Sequence, residues 1–244
     1  MTGKLYVIGV GPGDPELLTL KAVRVLREVP CICVPKGREE GNSLALSIVQ
    51  KARIEGLTLE GKEIIEAHFP MRKTRNNQES ENCELDTKWQ ETIETVYSRL
   101  NKGIDMAFIT IGDPTIYSTF FYLYDKLLAL NPELNIEIVP GVSSINTAAA
   151  KAGMSLALAD EKIAILPATY TESIKETLER FDTIVLMKVH KVFGNVAKIL
   201  SETGLTDKAV YISRAGMDDE RIFRNIRDIK ESDLDYFSLM IIKK

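Results

Sequence analysis

The sequence predicts an α/β protein, and three observations predict it. Short apolar, β-branched runs recur along the 244 residues. Segments with apolar residues at helical spacing lie between most of them, which makes βαβ units and a largely parallel sheet. Several of the strand-like runs stop at glycine-bearing or polar loops, and in a parallel sheet such ends gather at one edge.

In chain order, the expected strands are LYVIG (5–9), CICV (31–34), EII (63–65), MAFIT (106–110), IEIV (136–139), IAIL (163–166), TIVLM (183–187), AVYIS (209–213) and FSLMII (237–242). Helical spacing links Leu17, Leu18, Ala22, Val25 and Leu26, then Leu44, Ile48 and Val49, then Ile93, Val96 and Leu100. It returns at Val192, Val196, Ile199 and Leu200. No helix follows the last apolar run, so it is expected as an antiparallel edge strand or hairpin partner. The polar stretch 72–86 is expected as a loop before the helix that carries Trp89. The chain length fits one large domain or two of ordinary size. Two are expected, over 1–120 and 121–244, with about five strands in the first half and about four in the second.

Composition narrows the class of function. A hydrophobic share of 45% allows a core of useful size, and a net charge of −4 argues against a strongly basic nucleic-acid binder. No apolar run approaches the ~20 residues of a membrane span, and the opening MTGKLYVIGVGPGD has no leader-like pattern. The expectation is a cytoplasmic protein with neither a nucleic acid nor a membrane as partner. The two histidines, His68 and His190, and the three cysteines show no H-x-x-x-H or C-x-x-C spacing, so no metal site is expected. Cys31 and Cys33 are expected on opposite faces of their strand.

The first loop, VIGVGPGDPELL (7–18), follows a strand and opens a helix, with Asp14 as N-cap and Pro15 at the first helical position. It resembles a dinucleotide-binding turn but lacks its spacing: Gly9, Gly11 and Gly13 are followed by Asp14 where a third close-packing glycine belongs. A carboxylate there opposes a pyrophosphate, and the second strand ends in Val34-Pro35-Lys36 without a ribose-binding acid. A nicotinamide dehydrogenase is therefore disfavoured. In FITIGDPTIYSTFFYL (108–123) an apolar run stops at Gly112-Asp113-Pro114 and feeds hydroxyls and rings into a helix. Such a turn can simply end a strand, or it can face a ligand. In PGVSSINTAAAKAG (140–153), Ser143 or Ser144 can cap a helix whose face carries small residues.

Together, GVGPGDPELLTLKA at the start, GDP at 112–114 and PGVSS at 140–144 resemble the tetrapyrrole methylases, over essentially the whole chain. Within that family, VPKGREEGNSLAL (34–46), GDPTIYSTF (112–120), ILPATY (165–170) and LMKVHKVF (186–193) are similar to the precorrin-2 C20-methyltransferases of cobalamin synthesis. The resemblance implies two α/β domains with a cofactor cleft between them, the first on the tetrapyrrole trough side. It implies S-adenosylmethionine as methyl donor and S-adenosylhomocysteine as product. The substrate implied is precorrin-2 or cobalt-factor II, and the assembly a homodimer.

Carried over by position, the resemblance implies cofactor contacts at Gly112, Asp113, Pro114 and Ile116, and at Ser143, Ser144 and Ile145. Met187, Ala215 and Gly216 are expected on the adenine side, and Pro12 near the cofactor. Gly11, Gly13 and Asp14 are expected to face the tetrapyrrole. Lys36 and Arg38 are expected to pair with its acetate and propionate groups, or else to be solvated surface cations. The reaction implied needs no protein nucleophile, and Tyr117 is the expected acceptor of the C20 proton, with Asp113, Asp14 and water as alternatives. Methylation at another carbon and non-catalytic tetrapyrrole binding are the alternative functions.

Overall fold

A computed structural model describes residues 2–36, 43–68, 79–168 and 173–244. The chain forms two compact units, Met1–Ser143 and Ser144–Lys244.

The first unit alternates strictly: β1 (Leu5–Gly9), α1 (Leu20–Glu28), β2 (Cys31–Lys36), α2 (Leu44–Lys51), β3 (Glu63–His68), α3 (Glu79–Asn101), β4 (Met106–Thr110), α4 (Phe120–Leu130) and β5 (Ile136–Val139). Its strands make one sheet in the order β3-β2-β4-β1-β5, with every pairing parallel. The central strands are apolar on both faces because helices cover both. Leu5, Val7, Met106 and Phe108 pack toward α3 and α4, while Ile8, Ala107 and Ile109 pack toward α1 and α2. Each fully buried side chain of this kind contributes about 1.5–3 kcal/mol.

The first unit extends well past residue 120. Phe120, Leu123 and Leu127 of α4 belong to the same core cluster as β1. β5 adds a parallel strand to the outer edge of β1, from Leu5↔Ile136 to Ile8↔Val139. Removing either would strip apolar surface from the first sheet, so the division along the chain falls after Ser143 instead. The helix expected at Asp14-Pro15 is a single 3-10 turn, Pro15–Leu17, and α1 begins at Leu20. Thr19 is its actual cap, its hydroxyl oxygen accepting from the Ala22 N–H at 3.1 Å. Part of the polar stretch 72–86 is helical, since α3 already runs from Glu79.

Cys31 and Cys33 lie in one core cluster. Side chains two residues apart on a strand share a face, which corrects the expectation of opposite faces. Both thiols are free, and burial pushes Cys31 up to about 11 and Cys33 higher still.

The second unit contains α5 (Ser144–Ala152), β6 (Ile163–Pro167), α6 (Ile174–Arg180), β7 (Thr183–Met187), α7 (Phe193–Glu202), β8 (Ala209–Ser213), β9 (Arg221–Phe223) and β10 (Ser238–Lys243). Its sheet runs β6-β7-β10-β8-β9. β6 and β7 are parallel, but β10 is antiparallel to both β7 and β8, and β9 is antiparallel to β8. This sheet is mixed, so the largely parallel expectation holds for the first unit only. The last strand is antiparallel as expected but central, not at an edge. Its residues Leu239, Met240, Ile241 and Ile242 are all buried, as a strand with neighbours on both sides and cover on both faces must be. β9 has three residues, two of them flanking a single Ile222, and carries no alternation long enough to read. Among the described residues no helix is long and apolar enough to cross a membrane.

Candidate functional site

In the first unit the carboxyl ends of β1, β4 and β5 converge through three glycines. A Cβ on Gly9 would lie 2.5 Å from the Gly112 carbonyl oxygen and 2.7 Å from the Gly141 nitrogen. A Cβ on Gly141 would meet the same Gly112 oxygen, and the Gly9 carbonyl carbon at 2.7 Å. Backbone packs directly on backbone here, which only glycine permits. Just beyond, Gly11 and Gly112 form an isolated antiparallel bridge, with Gly112 N–H donating to Gly11 O at 2.7 Å. Both have left-handed φ, +79° and +70°.

Asp113 ties this junction together. Its Oδ1 accepts from the Thr115 N–H at 2.8 Å and from the Thr115 hydroxyl. Its Oδ2 accepts from the Gly141 N–H at 3.0 Å. The Asp113 carbonyl accepts from the Ile116 N–H at 3.3 Å, closing the turn around buried Pro114. Tyr117 follows in the left-handed region, φ +52°, with half of its surface exposed. A ring-bearing residue in that region is a strained exception that the surroundings must enforce. Pro12 is buried beside Gly11, and Gly13 and Asp14 are half-buried. Asp14 Oδ1 accepts from the Glu16 N–H at 2.9 Å, so this carboxylate caps its own turn.

Lys36, at the carboxyl end of β2, donates to Glu66 Oε2 on β3 at 2.6 Å. It therefore has a partner already, unlike a purely solvated cation. Arg38 lies outside the described residues.

In the second unit the carboxyl ends of β7 and β8 flank the start of β10. Met187 ends β7, Lys188 N–H donates to the Ser238 carbonyl at 2.9 Å, and Arg214 N–H donates to the Phe237 carbonyl at 2.7 Å. Met187 and Ala215 thus belong to one sheet edge, with β10 between them. Lys188 and Arg214 have left-handed φ, +61° and +56°, as does Gly216 at +79°. Among the described residues, three of the four non-glycine residues with positive φ, Tyr117, Lys188 and Arg214, adjoin positions expected to contact the cofactor. The loop after β8 is fixed by ion pairs: Arg214 to Asp219 at 2.6 Å and to Asp235 at 3.6 Å. The Gly216 N–H donates to Glu220 Oε2 at 2.6 Å, so this amide is already used.

Ser143 and Ile145 are buried on either side of Ser144, where α5 begins. Sequence reasoning passed over Ser238. Its hydroxyl is buried and has no hydrogen-bond partner among the described residues, at the edge between β7 and β8. A buried polar atom without a partner is an exception among native groups. It also passed over Gly9 and Gly141 as site residues, although each lies inside a motif at or just after the end of a strand. Burial pushes the nearby His190 imidazole down from its ordinary range, and it stacks edge-on against Tyr236 at 5.5 Å.

Comparison with known proteins adds a family to this geometry. The profile of the Tetrapyrrole (Corrin/Porphyrin) Methylases matches residues 4–229. The chain is 34% identical to the cobalt-precorrin-2 C(20)-methyltransferase of Salmonella typhimurium, covering 100% of this chain and 98% of that protein. A Sinorhizobium precorrin-2 C(20)-methyltransferase is 26% identical, with 98% and 95% covered. A Methanocaldococcus jannaschii protein named "Probable cobalt-precorrin-2 C(20)-methyltransferase" is 36% identical, with 99% and 96% covered. Among solved structures, a cobalt precorrin-4 methyltransferase superposes with a TM-score of 0.73 at 22% identity, covering 98% of this chain and 94% of that one. A Thermus thermophilus uroporphyrin-III C-methyltransferase complexed with S-adenosylhomocysteine gives 0.64 at 20% identity, with 99% and 98% covered. These two likenesses show the fold.

Proposed function

This chain belongs to the tetrapyrrole (corrin/porphyrin) methylases, and we propose that it transfers a methyl group from S-adenosylmethionine to C20 of precorrin-2 or cobalt-factor II in cobalamin biosynthesis. One observation carries the choice of substrate: the full-length relatives at 34% and 36% identity are both named for C20 of cobalt-precorrin-2.

The family supports the methyl donor. Within each unit taken by itself, two strand ends carry left-handed or glycine backbone. Ser238 keeps an unpartnered buried hydroxyl at the second of these edges. S-adenosylmethionine, when bound, supplies an electrophilic methyl on a sulfonium and leaves as S-adenosylhomocysteine. In this reading the backbone of Gly112, Pro114 and Ile116, with Pro12, holds the donor, together with Ser143, Ser144 and Ile145. Met187, Ala215 and Gly216 lie on its adenine side. Asp113 acts through the loops it ties, because its oxygens already accept from Gly141 and Thr115.

The chain's main contribution is then alignment. An enamine-like ring carbon attacks without help from a protein nucleophile, and orientation of this kind is worth up to about 7–11 kcal/mol. Gly11, Gly13 and the Asp14 turn face the tetrapyrrole in this reading, and Lys36 and Arg38 meet its carboxylates. Tyr117, as its phenolate, takes the proton that leaves C20. We extend the reading to a homodimer, on the family resemblance alone, working in the cytoplasm; analytical ultracentrifugation checks the first.

The test is a methyl-transfer assay with reduced sirohydrochlorin-type substrate, with and without cobalt, read by mass and by the position of the new methyl. One methyl at C20 is expected. A methyl elsewhere would keep the family and overturn the position. Binding of S-adenosylhomocysteine without any transfer would point to a tetrapyrrole-holding protein instead.

A further inference from the structure

A cavity of about 380 Å³ opens in the first unit against the carboxyl ends of β2 and β3. Lys36 and Glu66 line it from the strands, and Lys88, Glu91, Thr92 and Thr95 line it from α3. The four α3 residues sit three or four apart, so they share one helix face. Their chemistry is asymmetric. The Thr92 hydroxyl donates to the Lys88 carbonyl at 3.1 Å and the Thr95 hydroxyl to the Glu91 carbonyl at 2.8 Å. Both hydroxyl protons are spent within the helix, so the side-chain donors lining the cavity are the two ammoniums.

The Lys36–Glu66 pair is asymmetric as well. The Lys36 side chain is 16% exposed and the Glu66 side chain 54%. A cation that is largely withdrawn from water needs an anion beside it. A carboxylate still mostly in water is held only weakly and gives way to another carboxylate at small cost. Lys36 is the fixed member and Glu66 the replaceable one.

The cavity lies at the same edge of the same parallel sheet as the Gly9–Gly112–Gly141 junction. The volume is at the small end of ligand pockets, which span about 300–1,000 Å³. It suits an arm and not a whole macrocycle.

We propose that Lys36 anchors one peripheral carboxylate of the substrate, and that Glu66 is a place-holder which that carboxylate displaces. The proposal rests on the tetrapyrrole reading above. It gives the first unit an exchange of ion pairs: Lys36 stays paired before and after binding, and Glu66 swings into solvent. Glu66 therefore weakens substrate binding by competing for Lys36.

The experiment compares wild type, Lys36→Met, Glu66→Gln and the double variant. Two quantities are read: KM and kcat for methyl transfer, and the dissociation constant of sirohydrochlorin by fluorescence quenching, which needs no turnover. S-adenosylhomocysteine affinity serves as the folding control. Lys36→Met is expected to weaken sirohydrochlorin binding and raise KM by about tenfold or more, with kcat within about twofold. Glu66→Gln is expected to strengthen binding and lower KM severalfold, and to have no effect in the Lys36→Met background. Wild-type values for Lys36→Met would overturn the anchor. Weakened binding in Glu66→Gln would overturn the place-holder, because it would make the pair a structural brace. A wild type that binds sirohydrochlorin but transfers no methyl would remove the proposed activity and leave the anchor to be judged on binding. A wild type that does not bind it removes both.

Discussion

Asp113 Oδ2 accepts the Gly141 N–H at 3.0 Å, joining the loop after β4 to the loop after β5. The other oxygen of the same carboxylate holds the Thr115 N–H at 2.8 Å. A residue that reads in sequence as a ligand contact is thus a brace between two loops. Asp113→Ala is expected to cost about 1–3 kcal/mol of stability, since it leaves backbone donors without their acceptor. It is also expected to weaken S-adenosylhomocysteine binding severalfold by calorimetry, with the fold retained. Unchanged affinity would remove the loop junction from the cofactor site.

The glycine junction makes a sharper claim. Gly9→Ala and Gly141→Ala both drive a methyl into backbone, so each is expected to destabilise by about 3 kcal/mol or more, or to prevent soluble expression. Gly61→Ala is the comparison, because nothing lies within 4 Å of its added methyl and only its φ of +77° is strained. It is expected to cost about 1 kcal/mol. Equal midpoints in urea for the three variants would refute the junction.

Tyr117 separates chemistry from backbone. If its phenolate takes the C20 proton, Tyr117→Phe lowers kcat by about 100-fold, with donor affinity unchanged. Tyr117→Gly loses the same hydroxyl but relieves the φ of +52°, and is expected to raise stability by up to about 1 kcal/mol. A Tyr117→Phe enzyme with the wild-type kcat would assign the proton to water.

Acid stability tests the far end of the first sheet. Glu137 lies between Lys21 and Lys4, the latter at 2.5 Å, and their ammoniums hold its carboxyl down from 4.5 to about 2. A lowered folded-state value means that the ionised form stabilises the fold above pH ~4.5 and that this is lost as the pH falls toward ~2. The carboxylate is partly exposed, so about 1 kcal/mol is the expected size after solvent screening. Glu137→Gln should be less stable than wild type at pH 7 and should converge with it near pH 2 in denaturant titrations. A constant difference across that range would contradict the ion-pair origin.

The strands were legible wherever an apolar run was long enough to be buried on two faces. Met106–Thr110 and Thr183–Met187 are of this kind, and their order along the chain implied the alternation directly. Pairing order was not legible. Nothing in FSLMII announces that it lies between β7 and β8, because burial on both sides depends on which neighbours arrive. The helix start at Thr19 was hidden by the stronger punctuation of Asp14-Pro15, which caps only a 3-10 turn. In the candidate site, the motif glycines and Gly112-Asp113-Pro114 stood out, but the use of Asp113 did not. A carboxylate bound to backbone N–H groups has the same letter as one facing a ligand. Ser238 and Glu66 were illegible for a related reason. Their meaning comes from a missing partner and from a partner thirty residues away.

The placement of β10 has a consequence for biosynthesis. Ser238–Lys243 is hydrogen-bonded to β7 and to β8, yet it follows both in the chain. At about 5–20 residues per second, the stretch between Met187 and Ser238 occupies a ribosome for about 3–10 s. Throughout that interval β7, joined by β8 once Ser213 has been added, presents an apolar strand edge with no mate, the kind of edge that recruits strands from other chains. The second sheet therefore closes in one late step, and the nascent protein has a period of vulnerability that the first sheet, whose β1 edges are filled by β4 and β5, has already left behind.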